Sequence, residues 1–147
     1  MIERITVMDD RTAGDYELGR IQNHTAKKIM IVDDSMVIRN RIERLCADAR
    51  LPELRVVGLA ADGADAILIA QRERPDLVTM DLTMPHMDGD ACIEGLAGLL
   101  PEVRILVVSA LSDKPTALRA IGKGAHGFLY KPFNDDQLVE AMLELMT

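Results

Sequence analysis

Three aspartates, a serine and a lysine stand where apolar runs of this chain end. Asp33 and Asp34 follow KIMIV, Asp81 follows LVTM, Ser109 closes RILVVS and Lys131 follows GFLY. Carboxylates gathered in one place repel one another, so such a group either raises a pKa or binds a cation. A hard divalent cation fits oxygen donors best. Mg²⁺ is held by few carboxylates, keeps several waters and shares its shell with phosphate oxygens. Beside it, Lys131 makes sense as a point charge for a phosphoryl oxygen, and the Ser109 hydroxyl can donate to another. An aspartate can itself be the nucleophile and form an aspartyl-phosphate. Taken singly, each residue has a plainer explanation: Asp34 as a helix cap, Asp81 as a turn residue ahead of a proline-containing loop, Lys131 as a surface lysine. The specificity lies in all of them falling at strand ends.

The elements that must bring them together are legible as a pattern. From Lys28 onward, β-rich runs (KIMIVD, ELRVVGLA, DLVTMDL, VRILVVSA, HGFLYK) alternate with amphipathic stretches (MVIRNRIERLCADA, ADAILIAQRER, DACIEGLAGLL, KPTALRAIGKG, DDQLVEAMLELM). Ile38, Ile42, Leu45 and Ala49 recur at helical steps, as do Leu138, Ala141, Met142 and Leu145. Ser35 or Asp34, Asp88, Asp113 and Asn134 are placed to cap helices. Five strands alternating with five helices predict an α/β fold, a doubly wound parallel five-stranded sheet covered on both faces. Right-handed crossovers then put every strand's C-terminal end on one edge, where open α/β sheets bind ligands.

Composition bounds the remaining possibilities. The chain has 147 residues, 48% of them hydrophobic and 28% charged, as in a globular domain. Net charge is −7; residues 1–28 are neutral in sum, so the whole excess lies in 29–147. An acidic domain repels nucleic-acid phosphate, and aromatic residues at 3% with no tryptophan leave no platform for stacking bases. No direct DNA binding is therefore expected. No apolar run approaches a membrane span and residues 1–20 lack the apolar core of a secretory signal, so the cytoplasm is the expected location. Cys46 and Cys92 fit neither a disulfide framework nor a zinc spacing and read as buried free thiols. Residues 1–27 break the alternating pattern and are expected to form an N-terminal extension, a tail or a short ordered arm, ahead of a domain at 28–147.

The stretches VDDS at 32–35, DLTMPHMDG at 81–89, VVSA at 107–110 and GAHGFLYKPF at 124–133, in that order and spacing, resemble the bacterial two-component response-regulator receiver domain, in particular its single-domain, chemotaxis-regulator-like members. The resemblance implies a flavodoxin-like (βα)5 fold with strand order 2-1-3-4-5. It implies Asp81 as phosphoacceptor and Asp33, Asp34, Asp81 and the backbone carbonyl of Thr83 as the Mg²⁺ site. Ser109 and Lys131 would bind the phosphoryl group, and the Lys131–Pro132 bond would be cis. Ser109 and Phe128 would form the switch; Phe128 stands where the best-known members carry a tyrosine, which makes Tyr130, two residues on along the same strand face, a second candidate. Thr83 and Leu111, two past the acceptor and two past Ser109, would tune access of the hydrolytic water.

On this reading the chain is a phosphorylation-dependent switch rather than a turnover enzyme. Its partners are a histidine kinase or histidine phosphotransfer protein and a downstream protein target. Output is expected by protein contact through the face of the fourth helix, fifth strand and fifth helix, because no sequence remains for a second domain after Thr147; a homodimer and a fragment of a longer regulator stay open. A Mg²⁺-dependent phosphohydrolase with an aspartate nucleophile is a second class, but VDDS lacks the second, spaced aspartate typical after its first strand. A flavodoxin-like cofactor carrier needs a hydroxyl- and glycine-rich phosphate loop where this chain has DDSMVIR. A degenerate, docking-only receiver is disfavoured by the presence of every key residue.

Overall fold

Strands that are apolar on both sides must be covered on both sides, and the sheet is built that way. The computed structural model describes residues 26–84, 88–111 and 113–147; the expected extension lies outside the described residues except for Ala26 and Lys27. In chain order the elements are β1 (Lys27–Val32), α1 (Met36–Leu45), β2 (Leu54–Ala60), α2 (Gly63–Glu73), β3 (Leu77–Met80), α3 (Gly89–Leu99), β4 (Arg104–Ser109), α4 (Lys114–Lys123), β5 (Gly127–Tyr130) and α5 (Asp135–Met146). β1 thus begins one residue ahead of the boundary read from the sequence. The five strands are all parallel, in the order β2-β1-β3-β4-β5. This is the 2-1-3-4-5 arrangement of the flavodoxin-like fold.

Alternate residues of each strand feed two cores. Met30, Val32, Val78, Met80, Ile105 and Val107 pack with Ala66, Ala70, Cys92, Ile93, Leu96 and Ala120, so α2, α3 and α4 cover one face. Ile29, Ile31, Leu77, Leu106 and Val108 pack with Ile42, Leu45, Leu138, Val139 and Met142, so α1 and α5 cover the other. Both cysteines are buried free thiols. Burial pushes Cys46 up to about 12 and Cys92 up to about 11, which leaves both protonated near neutral pH.

The helices start on side chains suited to the task. Ser35, Asp62, Asp88, Asp113 and Asn134 each accept a hydrogen bond from the backbone N–H three residues on, and Asn134 forms a reciprocal capping box with Gln137. α1 stops at Leu45, short of the stretch to Ala49 that its pattern predicts. There the bonding tightens: Cys46 N–H reaches Glu43 O as well as Ile42 O, and Ala47 and Asp48 donate three residues back. Gly89 opens α3 where space is tightest. A Cβ there would stand 2.5 Å from Leu82 Cα and 2.9 Å from the Asp81 carbonyl oxygen, so only glycine lets α3 pack directly under the segment carrying Asp81.

The core assignment makes a quantitative prediction. Leu138, on the inner side of α5, is fully buried, whereas Leu118 on α4 is 58% exposed. Leu138→Ala should lower the unfolding free energy by about 2–5 kcal/mol through lost burial and a residual cavity. Leu118→Ala should change it by no more than about 0.5 kcal/mol. Urea unfolding followed by circular dichroism compares the two directly.

Candidate phosphoryl-acceptor site

The strand ends deliver their polar residues to one edge. β1 runs out at Val32 and β3 at Met80, yet the ladder continues for one bond each: Asp33 N–H donates to Ala60 O, and Asp81 N–H donates to Val32 O, both at 3.0 Å. On the far side of β4, Lys131 N–H donates to Ser109 O at 2.8 Å. These backbone bonds fix Asp33, Asp81, Ser109 and Lys131 relative to the sheet before any side chain is considered. Asp33 and Asp81 are each 1% exposed and Ser109 is fully buried, while Asp34 faces solvent.

Asp33 and Asp81 form an acidic centre with one cation between them. Lys131 Nζ lies 2.8 Å from Asp33 Oδ2 and 3.7 Å from Asp81 Oδ2. Asp33 Oδ1 accepts from Ser35 N–H at 2.9 Å. Asp81 Oδ1 accepts from both the backbone N–H and the hydroxyl of Thr83, each at 3.1 Å. Each buried carboxylate therefore has one oxygen tied to local donors and the other facing the lysine. Burial raises the Asp33 pKa above its ordinary value of 3.8; the Lys131 and Ser35 hydrogen bonds oppose this, and the Asp81 charge adds to it.

Carboxylate oxygens of Asp33, Asp34 and Asp81 all lie within 4.8 Å of one another. Among the described residues three carboxylates face one ammonium at this edge, and two of the three are out of water. An all-oxygen donor set with surplus negative charge suits a hard divalent cation, Mg²⁺ among them.

The structure thus brings together Asp33, Asp34, Asp81 and Lys131, with Thr83 bound to Asp81. Ser109 sits at the end of the adjacent strand, its hydroxyl oxygen accepting from Leu111 N–H at 3.2 Å. Leu111 is 40% exposed. The Lys131–Pro132 bond is cis. Phe128 is half-buried against the α2, α3 and α4 core, and Tyr130 is exposed with its ring 5.0 Å from that of Phe128. Two residues escaped sequence reasoning. The Thr83 hydroxyl joins its own N–H on Asp81, a contact that neither its expected carbonyl role nor its expected tuning role implies. Arg41 grips the chain just after Lys131; its Nη2 donates to Phe133 O at 2.9 Å. The available signal was an arginine three residues from Ile38 and four from Leu45, on the inward stripe of α1.

The raised Asp33 pKa has a definite consequence. A carboxyl that holds its proton more tightly folded than unfolded binds more protons in the native state, so stability falls as pH rises from about 3.8 through the folded value. Asp33→Asn carries no such proton. Its stability relative to wild type, from urea midpoints in metal-free buffer, should therefore increase as pH is raised through that window; a flat or falling difference would contradict the assignment.

Known proteins resemble this chain in sequence and in fold. Residues 29–143 match the model of the response regulator receiver domain. The chain is 36% identical over 118 residues to chemotaxis protein CheY of Listeria monocytogenes, covering 78% of this chain and 94% of the relative. It is 34% identical to chemotaxis protein CheY of Thermotoga maritima, covering 79% and 94%. Among solved structures, a LuxR-family response regulator from Aurantimonas aligns with TM-score 0.75 and 30% identity over 83% of this chain and 86% of that one. A CheX-CheY-BeF3-Mg complex from Borrelia burgdorferi aligns with TM-score 0.77 and 25% identity over 82% and 90%. The strand order, the acidic centre and these matches together place the chain in the response-regulator receiver domain family of two-component signalling.

Proposed function

We propose that this chain is a phosphorylation-dependent switch in which Asp81 accepts a phosphoryl group from a phosphohistidine of a histidine kinase or phosphotransfer protein. Receiver domains act as signalling switches with such partners and generally bind Mg²⁺ through acidic residues. The observation that carries the reading is a buried carboxylate, Asp81, held by Thr83 and facing Lys131 across an acidic centre. In the transfer an Asp81 oxygen attacks phosphorus; the P–N bond breaks, and its electron pair leaves on the donor imidazole. Asp33, Asp34, Asp81 and the Thr83 carbonyl would hold Mg²⁺. When bound, that ion neutralises charge on the transferring group.

Each of the chain's own residues has a task in this step. Thr83 holds Asp81 Oδ1 through two hydrogen bonds, which leaves Oδ2 as the attacking oxygen. Lys131 then moves its charge from Asp33 toward the new phosphoryl oxygens, and Ser109 donates to another of them. Ser109 and Lys131 lie on adjacent strand ends joined by a backbone bond, so a shift of Ser109 is felt at β5, where Phe128 and Tyr130 are in ring contact. Phe128 turns inward as Ser109 moves.

The receiving surface is the α4, β5 and α5 face. It exposes Leu118, Ile121 and Tyr130 and carries a groove lined by Phe128, Leu129, Gln137, Glu140 and Ala141. A protein that binds the shifted form better draws the population toward it. The cytoplasm is the location consistent with these partners; no described helix is long and apolar enough to cross a membrane. The domain at 28–147 carries this cycle, with residues 1–27 as an extension to it.

Two experiments test this reading. Incubation with acetyl phosphate and Mg²⁺, followed by intact mass, should show a single phosphoryl adduct that is absent in Asp81→Asn and without Mg²⁺. An adduct that survives Asp81→Asn overturns the assignment. Leu111 presents an apolar side chain beside Ser109, which hinders the hydrolytic water. Leu111→Glu should shorten the adduct's half-life, as expected when a group able to orient water is introduced; an unchanged or longer half-life would count against that role.

A further inference from the structure

Lys131 stands at a weak point of the fold. β5 is a four-residue edge strand, and Lys131 is the first residue beyond it. Among the described residues one backbone bond, to Ser109 O, ties Lys131 to the sheet. The chain then leaves the sheet for α5, although Lys131 Nζ must stay within 2.8 Å of Asp33 and 3.7 Å of Asp81.

We infer that Arg41 of α1 is the positioning residue that holds the 131–135 segment, and hence the Lys131 ammonium, in register with the acidic centre. The inference rests on the reading of Lys131 as the phosphoryl-binding cation. Arg41 meets the segment at three points. Nη2 donates to Phe133 O at 2.9 Å. Nη2 and Nε both donate to Asp135 Oδ1, at 2.9 and 3.1 Å. The guanidinium also covers the Phe133 ring, 4.5 Å from its centroid, a distance at which a cation and a ring face attract. Phe133 is itself buried in the α1 and α5 core.

The opposite end of the clamp lies in the acidic centre itself. α1 begins on Ser35, whose N–H donates to Asp33, and Arg39 one turn later donates from Nη1 to the Asp33 carbonyl at 2.7 Å. One rigid helix therefore binds the Asp33 backbone with Arg39 and the post-Lys131 segment with Arg41. An ordinary surface ion pair is the plainer reading, and exposed pairs of that kind contribute little to stability. Arg50 supplies the comparison. It pairs with Asp48 and with Asp136 of α5, on the same helix as Asp135, but makes no hydrogen bond to residues 131–133. Three contacts to consecutive parts of one segment are what distinguish Arg41; an arginine's fork and flat face can make all three at once, and a lysine cannot.

The test is the initial rate of Asp81 phosphorylation of the full chain by acetyl phosphate at saturating Mg²⁺, read by intact mass. Arg41→Ala should slow it by about tenfold, the scale of a small misplacement of a reacting group, with a urea midpoint close to wild type. Arg41→Lys should fall between the two, and Arg50→Ala should match wild type. In a Lys131→Ala background, Arg41→Ala should slow the reaction no further, because nothing is left to position. Should Arg41→Ala fail to fold, Asp135→Ala removes one of the three contacts and should give the same pattern with a smaller loss. A wild-type rate in Arg41→Ala, or an equal loss with and without Lys131, overturns the inference while leaving the switch intact. A wild-type chain that takes up no phosphoryl group, or an Asp81→Asn chain that takes it up equally, overturns the functional reading and this inference together.

Discussion

The crowding of negative charge at the sheet edge is the constraint around which the rest is arranged. Two carboxylates, Asp33 and Asp81, are almost wholly withdrawn from water, with a third, Asp34, within 4.8 Å. Like charges so placed disfavour ionisation, and an uncompensated buried charge is costly. The chain meets this cost with few donors. Ser35 and Thr83 donate to the near oxygens, and one lysine spans the far ones. Among the described residues the balance still falls short by charge count, three carboxylates to Lys131 and the Arg39 guanidinium on the Asp33 carbonyl. That deficit makes the edge receptive to a further cation and, after it, to an anion brought in with it.

Such an arrangement is only useful if the groups cannot drift apart to relieve the repulsion. The sheet prevents this. Asp33 and Asp81 are each held by a ladder bond that continues the strand pairing beyond its formal end, and of the neighbouring strands β3 is buried throughout and β1 from Ile29 onward. Gly89 adds a second restraint, because α3 closes on the Leu82 backbone at a distance that leaves no room for a side chain. The acids are thus fixed by parts of the molecule buried on both faces. Lys131 is not: it follows an edge strand whose residues are half-buried or exposed. Restraint has to reach it from outside the sheet, and α1 is the element in contact with both sides.

Much of this was legible in the sequence, and the reasons are specific. The strand ends could be placed because a fully apolar run such as IMIV or LVTM stops abruptly at a carboxylate, and both-sided burial leaves few alternatives to a parallel sheet. Four of the five caps are legible because aspartate, serine and asparagine occur just before helical stripes; Asp62 is not, because the stripe of its helix starts at Ala64, one residue past the Gly63 that opens it. α1 was read four residues too long, since Ala49 continues the apolar spacing while the backbone has already tightened into a narrower turn at Cys46. The contacts of the Thr83 hydroxyl and of Arg41 were not legible, although the place of Arg41 on the inward stripe of α1 was. Their partners lie across a turn or on another element, and no periodicity in one segment encodes a contact made between two. Residues 1–25 lie outside the described residues.

The same division between rigid and weakly held parts connects the site to the surface. β4 lies between the acids and the edge: Val107 pairs with Phe128, and Ser109 with Tyr130. A displacement at Ser109 therefore has a direct route to the two aromatic side chains of β5, while β1 and β3, packed on both faces, resist it. Phe128 is only half-buried and rests against the α4 side of the core, with Tyr130 against it on the exposed side. In a uniformly packed sheet a change of charge at one edge would be absorbed locally. Here the strand farthest from β1 in the β1-β3-β4-β5 series is also the least buried, which is consistent with the proposed output through β5 and the face beside α4 and α5. On the proposed reading, the output face is the one beside the less covered edge strand β5, which adjoins the site through β4.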